Sequence, residues 1–152
     1  PKLALKGLNK IIPKELNPEN KERLTNNFDA SITYSRQIGN IYTGSLYLGL
    51  LSLLEQSQDL KAGDKIGFFS YGSGAVSEIF SGRLVEGYKD LLRSDRLDTF
   101  AKRQQLSVAD YEKLFYEEAQ LDDTGSTQFA DYQTGAFRLA EISEHQRIYK
   151  GH

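Results

Sequence analysis

Cysteine is absent from this sequence. Disulfides, thiolate metal sites and a cysteine nucleophile are therefore excluded from the chain itself. Methionine and tryptophan are absent as well. The chain opens at Pro1 with no initiator, so we expect it to be a piece of a longer gene product. Histidine occurs only at His145 and His152, near the end and without metal-ligand spacing. No Ser-His-Asp arrangement is visible. No stretch reaches the roughly 18 to 20 apolar residues of a membrane span. The longest apolar-rich run, Leu46 to Leu54, is broken by Gly49 and Ser52. No excess of one charge is present either. The net charge is −2, which leaves no electrostatic footprint for nucleic acid or a membrane surface. Nothing at the start reads as a signal or transit peptide.

What remains is ordinary globular composition, 39% hydrophobic and 26% charged over 152 residues. That length suits one domain or a large part of a bigger one. The first stretch, "PKLALKGLNKII", predicts a helix with Leu5, Leu8 and Ile12 on one face and Lys2, Lys6 and Lys10 one turn apart on another. Pro13 stops it. Asn17 caps a second helix with Pro18 at its first position, and Leu24, Phe28 and Ile32 mark its buried face. A third helix is expected from Thr43 to about Gln56. Its leucines cover nearly every side, the pattern of a central, buried helix.

"IGFFSY" reads as a buried strand and "AVSEIFSGRLVEG" as its antiparallel neighbour, joined through a short glycine-rich loop. Gly82 suggests a bulge or a close approach. Leu91 to Gln105 is polar and helical in pattern. Ser107 with Asp110 resembles a capping box, followed by an apolar face of Val108, Tyr111, Leu114 and Phe115. "DDTGSTQFADYQTG" is a loop. "AFRLAEISEHQRIYK" reads as a closing strand, with a possible break near Ser143 and Glu144. The chain has no repeats and no clear internal boundary, and its element order is mixed α and β.

Three groups could carry chemistry. Asn40, after Gly39 and before an apolar helix, could donate its amide to a developing oxyanion. On spacing alone a turn residue near a helix start is the stronger reading. "SYGSG", Ser70 to Gly74, places two glycines around Ser73 where a ligand could approach the backbone, or simply where a hairpin turns. It lacks the spacing of a P-loop. Lys2, Lys6 and Lys10 could hold a polyphosphate, although a solvated helix face is the default. Glu117 with Glu118 and Asp122 with Asp123 read as solvated acids.

Taken together, "GNIYTGSLYLGLLSLLE" and "LKAGDKIGFFSYGSGAVSEIFSGRLVEGYK" resemble bacterial hydroxymethylglutaryl-CoA (HMG-CoA) synthases, members of the thiolase-like condensing enzymes. The resemblance is dense over 39–89 and thin beyond residue 90. It implies an α/β chain with the thiolase-like layered α/β/α/β/α fold, this sequence being most of the C-terminal half. Residues 1–89 would carry the core motifs, 90–133 a mostly helical family-specific insertion and 134–152 a closing strand.

The resemblance also implies a reaction. A cysteine takes acetyl from acetyl-CoA, a glutamate deprotonates the acetyl methyl, the carbanion equivalent attacks acetoacetyl-CoA, and hydrolysis releases HMG-CoA for the mevalonate route. The cysteine and glutamate would lie in the missing first half. The catalytic histidine would lie just upstream of Pro1, so His145 and His152 are not its replacements. Carried over residue by residue, Asn40 would orient the acetoacetyl group and Ser73 would contact the acyl substrate. Gly39, Gly72 and Gly74 would serve through their backbone, and Lys2 and Lys6 would meet CoA. CoA thioesters are then substrates, and no cofactor or metal is expected. The implied partners are the N-terminal half of the same polypeptide and a second copy in a homodimer, in the cytoplasm, with neither nucleic acid nor membrane.

Two alternatives remain. A β-ketoacyl-acyl-carrier-protein synthase III-like half shares the fold and a Gly-Asn-Thr loop. "YTGSLY" and the long stretch after Leu84 speak against it. A non-catalytic thiolase-like interaction module is the other, and an upstream reading frame with histidine, cysteine and glutamate would discriminate against it.

Overall fold

The computed structural model describes residues 2–72, 74–130 and 135–151. Two compact units divide the chain, Pro1–Ser94 and Asp95–His152.

In the first unit, α1 spans Lys2–Ile11, α2 Pro18–Ile38 and α3 Gly44–Gln56. The start of α2 follows from its cap. Asn17 Oδ1 accepts from the Asn20 N–H at 2.8 Å, and Pro18 opens the first turn. The helix ends at Gly39, whose φ of 87° suits glycine and whose N–H donates to the Ser35 carbonyl at 2.9 Å.

α2 and α3 form an antiparallel hairpin. As α2 runs from Asn27 to Tyr34, its partners on α3 run back from Ser57 to Ser52. A Cβ on Gly49 would stand 3.5 Å from the Ser31 carbonyl, so the two backbones approach closely there. Tyr34, 1% exposed, donates its hydroxyl to Glu55 Oε2 at 2.6 Å.

β1, Lys65–Tyr71, pairs antiparallel with β2, Ser77–Arg83, from Lys65 opposite Arg83 to Tyr71 opposite Ser77. The register runs without a bulge. Gly82 is instead a close approach, since a Cβ there would meet the Phe68 ring at 3.4 Å. Alternate side chains face opposite ways. Ile66 and Phe68 join Leu53, Leu60, Leu50, Leu54, Ala30 and Leu84 in the core. On the other face, Phe69 lies against Gly7 of α1. The hairpin thus lies between α1 and the α2–α3 pair. Tyr88 completes the unit by donating its hydroxyl to the Leu60 carbonyl at 2.8 Å.

Several burial expectations need correction. Only Ile66 of β1 is buried and β2 is exposed throughout, and among the described residues the two strands pair only with each other. α3 is not enclosed on all sides. Ser52 and Leu53 are its buried residues, while Tyr47 is 67% exposed. Within this unit α2 and β1 cover only part of its circumference.

In the second unit, α4 spans Arg96–Ala101 and α5 Val108–Tyr116. Helix is therefore confined to a part of the polar stretch Leu91 to Gln105. The N-cap half of the box forms: Ser107 Oγ accepts from the Asp110 N–H at 3.1 Å, while the Ser107 hydroxyl, and not its backbone N–H, donates to Asp110 Oδ2 at 2.6 Å. The apolar face beyond it is open, with Val108, Tyr111 and Phe115 all exposed.

β3, Thr127–Gln128, β4, Phe137–Ser143, and β5, Gln146–Gly151, form an antiparallel sheet in the order β3-β4-β5. The closing strand is thus a hairpin, broken near Ser143 and Glu144 as the sequence suggested. It turns at Glu144 and His145, whose φ values of 47° and 65° are those of a tight two-residue turn. Part of the loop before it, 131–134, lies outside the described residues.

Candidate functional site around Asn40

The end of α2 and the start of α3 hold Asn40 between them. Gly39 breaks the first helix with its positive φ, and residues 40–43 turn the chain into the second. Asn40 Oδ1 accepts from the Tyr42 N–H at 2.9 Å, an Asx turn. The Ser45 hydroxyl stands 3.3 Å from the same oxygen. Ser45 Oγ also accepts from the Ile41 N–H at 3.1 Å. Thr43, the residue before α3, makes no side-chain cap. The amide nitrogen of Asn40 has no partner among the described residues.

Asn40 is exposed in this chain. Both readings of Asn40 therefore meet in one geometry. Its oxygen serves the turn, and its nitrogen is left to donate.

The other residues singled out lie apart from this loop. Gly72 and Gly74 sit at the tip of the β1–β2 hairpin. The Gly72 N–H donates to the Val76 carbonyl at 3.0 Å, and Gly74 takes φ 82°. Nothing stands within 4 Å of a Cβ built on Gly72 or Gly74, so the tip is open to a neighbour. Ser73 lies outside the described residues. Lys2, Lys6 and Lys10 lie exposed along α1, one turn apart, without an ion-pair partner among the described residues. No hydrogen bond among the described residues joins the Asn40 loop to the hairpin tip or to α1.

Two clefts lie elsewhere among the described residues, and neither includes these residues. One, of about 330 Å³, lies between Lys61, Ala62 and the stretch Glu86–Asp90. The other, of about 550 Å³, lies in the second unit beside Asp122 and Glu141. Asp122 is a loop staple. Its Oδ1 accepts from the Thr124 hydroxyl at 2.6 Å and from the Thr124 and Ser126 N–H groups at 2.9 Å. The Thr124 hydroxyl, then the Ser126 N–H, holds its carboxyl below the ordinary aspartate value of 3.8. His145 occupies the β4–β5 turn, its N–H donating to the Gly125 carbonyl at 3.0 Å. No group of three or more His, Asp or Glu among the described residues could hold a metal ion. Among the described residues no helix is long and apolar enough to cross a membrane.

Sequence reasoning missed Ser45 and Tyr42. The Thr-Gly-Ser cluster after Asn40 was the available signal, since a hydroxyl five residues on can close back over an Asx turn.

Known proteins agree with this architecture. The family model described as hydroxymethylglutaryl-coenzyme A synthase C terminal matches residues 5–152. The HMG-CoA synthase of Enterococcus faecalis is 52% identical over 103 residues, covering 67% of this chain and 27% of that protein. The enzyme of Saccharomyces cerevisiae is 30% identical over 149 residues, covering 93% of this chain and 29% of that one. A crystal structure of an HMG-CoA synthase complexed with CoA is 64% identical and superimposes with a TM-score of 0.84, over 99% of this chain and 39% of that one. The chain thus spans well under half the length of these relatives, and its mixed helix-and-strand fold is the thiolase-like one of HMG-CoA synthase structures. It belongs to the HMG-CoA synthase C-terminal family.

Proposed function

We propose that this chain is the C-terminal part of an enzyme that condenses acetyl-CoA with acetoacetyl-CoA to HMG-CoA, in the cytoplasm and in service of the mevalonate route. The observation that carries the reading is the family match over 5–152 together with a loop that leaves the Asn40 amide nitrogen unpaired. In this reading the nucleophilic cysteine, the glutamate base and the histidine belong to the preceding part of the polypeptide, and the reaction draws on no resident cofactor. The chain alone does not turn over.

Asn40 orients the acetoacetyl group by donating to its carbonyl oxygen. A fixed amide donor of this kind contributes roughly 10²–10³ in rate. Ser73 contacts the acyl substrate, and Gly72 and Gly74 serve through their backbone at the open hairpin tip. Lys2 and Lys6 meet the phosphates of CoA, whose charge suits cations one helical turn apart. The uncovered side of α3, with Tyr47, faces the preceding half of the polypeptide, and two such polypeptides form a homodimer. Exposed apolar surface of this kind commonly marks an interaction site.

The test uses the natural, longer polypeptide and follows HMG-CoA formation from the two thioesters. Activity is expected, and Asn40→Ala should lower kcat by at least roughly tenfold without unfolding the protein. Replacing Lys2 and Lys6 together by Ala should raise KM for the CoA esters, more at low ionic strength than at high. A natural polypeptide inactive with both thioesters would overturn the reading. Unchanged kinetics in Asn40→Ala would remove Asn40 from the site.

A further inference from the structure

A side-chain amide has two ends of nearly equal shape and opposite hydrogen-bonding sense, so its orientation decides what it recognises. At Asn40 the oxygen end is held by two donors. One is the Tyr42 N–H at 2.9 Å. The other is the Ser45 hydroxyl at 3.3 Å. Ser45 Oγ already accepts from the Ile41 N–H at 3.1 Å, so its own proton is available for Asn40. The proton chain runs in one direction, from Ile41 N–H through the Ser45 hydroxyl to Asn40 Oδ1. Turned round, the amide would set its NH₂ against the Tyr42 N–H, donor to donor.

We infer that Ser45 is a positioning residue that locks Asn40 as a hydrogen-bond donor, so that the loop selects a ligand oxygen that accepts, such as a ketone or thioester carbonyl. The inference rests on the proposed function for the ligand, but the lock itself is a property of the loop. Two further features fit a held conformation. Tyr42 takes φ 53°, uncommon for a bulky residue, and its ring is 84% exposed and so does not hold it there. Gly44 is hemmed in, because a Cβ there would meet the Ile41 side chain at 3.0 Å. The Asx turn closed by the Tyr42 N–H, the Ser45 hydroxyl laid over it and the backbone bonds from Gly44 to Ile41 and from Ser45 to Tyr42 together hold the backbone in this shape.

The experiment compares Ser45→Ala, Asn40→Ala, the double variant and Ser45→Thr in the natural, longer polypeptide. Ser45→Ala should lower kcat roughly tenfold with KM for acetyl-CoA unchanged. It should cause no further loss in the Asn40→Ala background, and Ser45→Thr should retain most of the activity. In urea unfolding, the double variant should shift the midpoint by less than the two single shifts added. Should Ser45→Ala not fold, Ser45→Cys, a weak donor of similar size, replaces it in the same comparison. Wild-type kinetics in Ser45→Ala, or losses that multiply in the double variant, would overturn the lock. An inactive wild type with the unfolding coupling intact would overturn the function and leave the lock standing.

Discussion

The Ser52 hydroxyl of α3 accepts from the Tyr34 backbone N–H of α2 at 3.2 Å and donates to the Ala30 carbonyl. These two backbone groups are the ends of one rung of α2, so a side chain from the neighbouring helix has joined the ladder. Ser52 is fully buried, at 0% exposure. A buried hydroxyl is costly unless satisfied, and this one is satisfied on both sides. Ser52→Ala should keep the packing and lose both bonds. The expected cost is about 1–3 kcal/mol, read from chemical unfolding. Ser52→Leu should cost more, because α2 and α3 have no room for the added volume.

The second prediction concerns Gly82. Phe68 and Phe80, directly opposite on the hairpin, stack with centroids 4.8 Å apart and planes 7° from parallel. The Phe68 ring edge reaches over Gly82, two residues along the partner strand on the same face. Gly82→Ala should be tolerated with a small loss, since contact at 3.4 Å asks the ring to give slightly. Gly82→Val should displace the ring and cost about 1–3 kcal/mol by overpacking. Near-ultraviolet dichroism of the stacked pair would register the displacement.

Much of the local structure was legible because local chemistry decides it. Asn17–Pro18 is a helix start whatever surrounds it, and Ser107 with Asp110 is another. The antiparallel hairpin followed from two apolar runs and a short glycine-rich loop. What could not be read depended on distant or absent partners. The leucines of α3 signal that the helix needs cover, but not that this chain supplies only part of it. The β4–β5 turn showed only as a break near Ser143 and Glu144, because Glu144 and His145 take left-handed conformations without a glycine to announce them. Asn40 gained a function only through resemblance, and Ser45 only once the loop was folded.

Asp122 supplies a pH dependence. Its carboxyl is held below the ordinary value of 3.8 in the folded chain, first by the Thr124 hydroxyl and then by the Ser126 N–H. The unfolded chain therefore binds its proton at higher pH than the folded one. The contribution of this group to loop order is complete above the ordinary aspartate range and disappears as pH falls through the lower folded value. Carbon-13 titration of the Asp122 carboxyl should give a midpoint below 3.8. The Thr124 and Ser126 amides should lose exchange protection over the same interval. Asp122→Asn should remove that pH dependence while leaving β4 and β5 paired.

Asn40→Asp offers the sharpest separation of loop architecture from chemistry. A carboxylate oxygen accepts from the Tyr42 N–H and the Ser45 hydroxyl as well as the amide oxygen does. The turn into α3 should therefore form, and the melting temperature should stay close to wild type. The outward atom, however, changes from a donor into a charged acceptor. A carbonyl oxygen placed against it would be repelled, and negative charge developing on that oxygen would be repelled more. In the proposed full-length enzyme Asn40→Asp should thus lose at least as much activity as Asn40→Ala, on the order of 10² or more at neutral pH. An Asp variant more active than the Ala variant would mean that Asn40 acts through its oxygen, by shaping the loop, and not through its nitrogen.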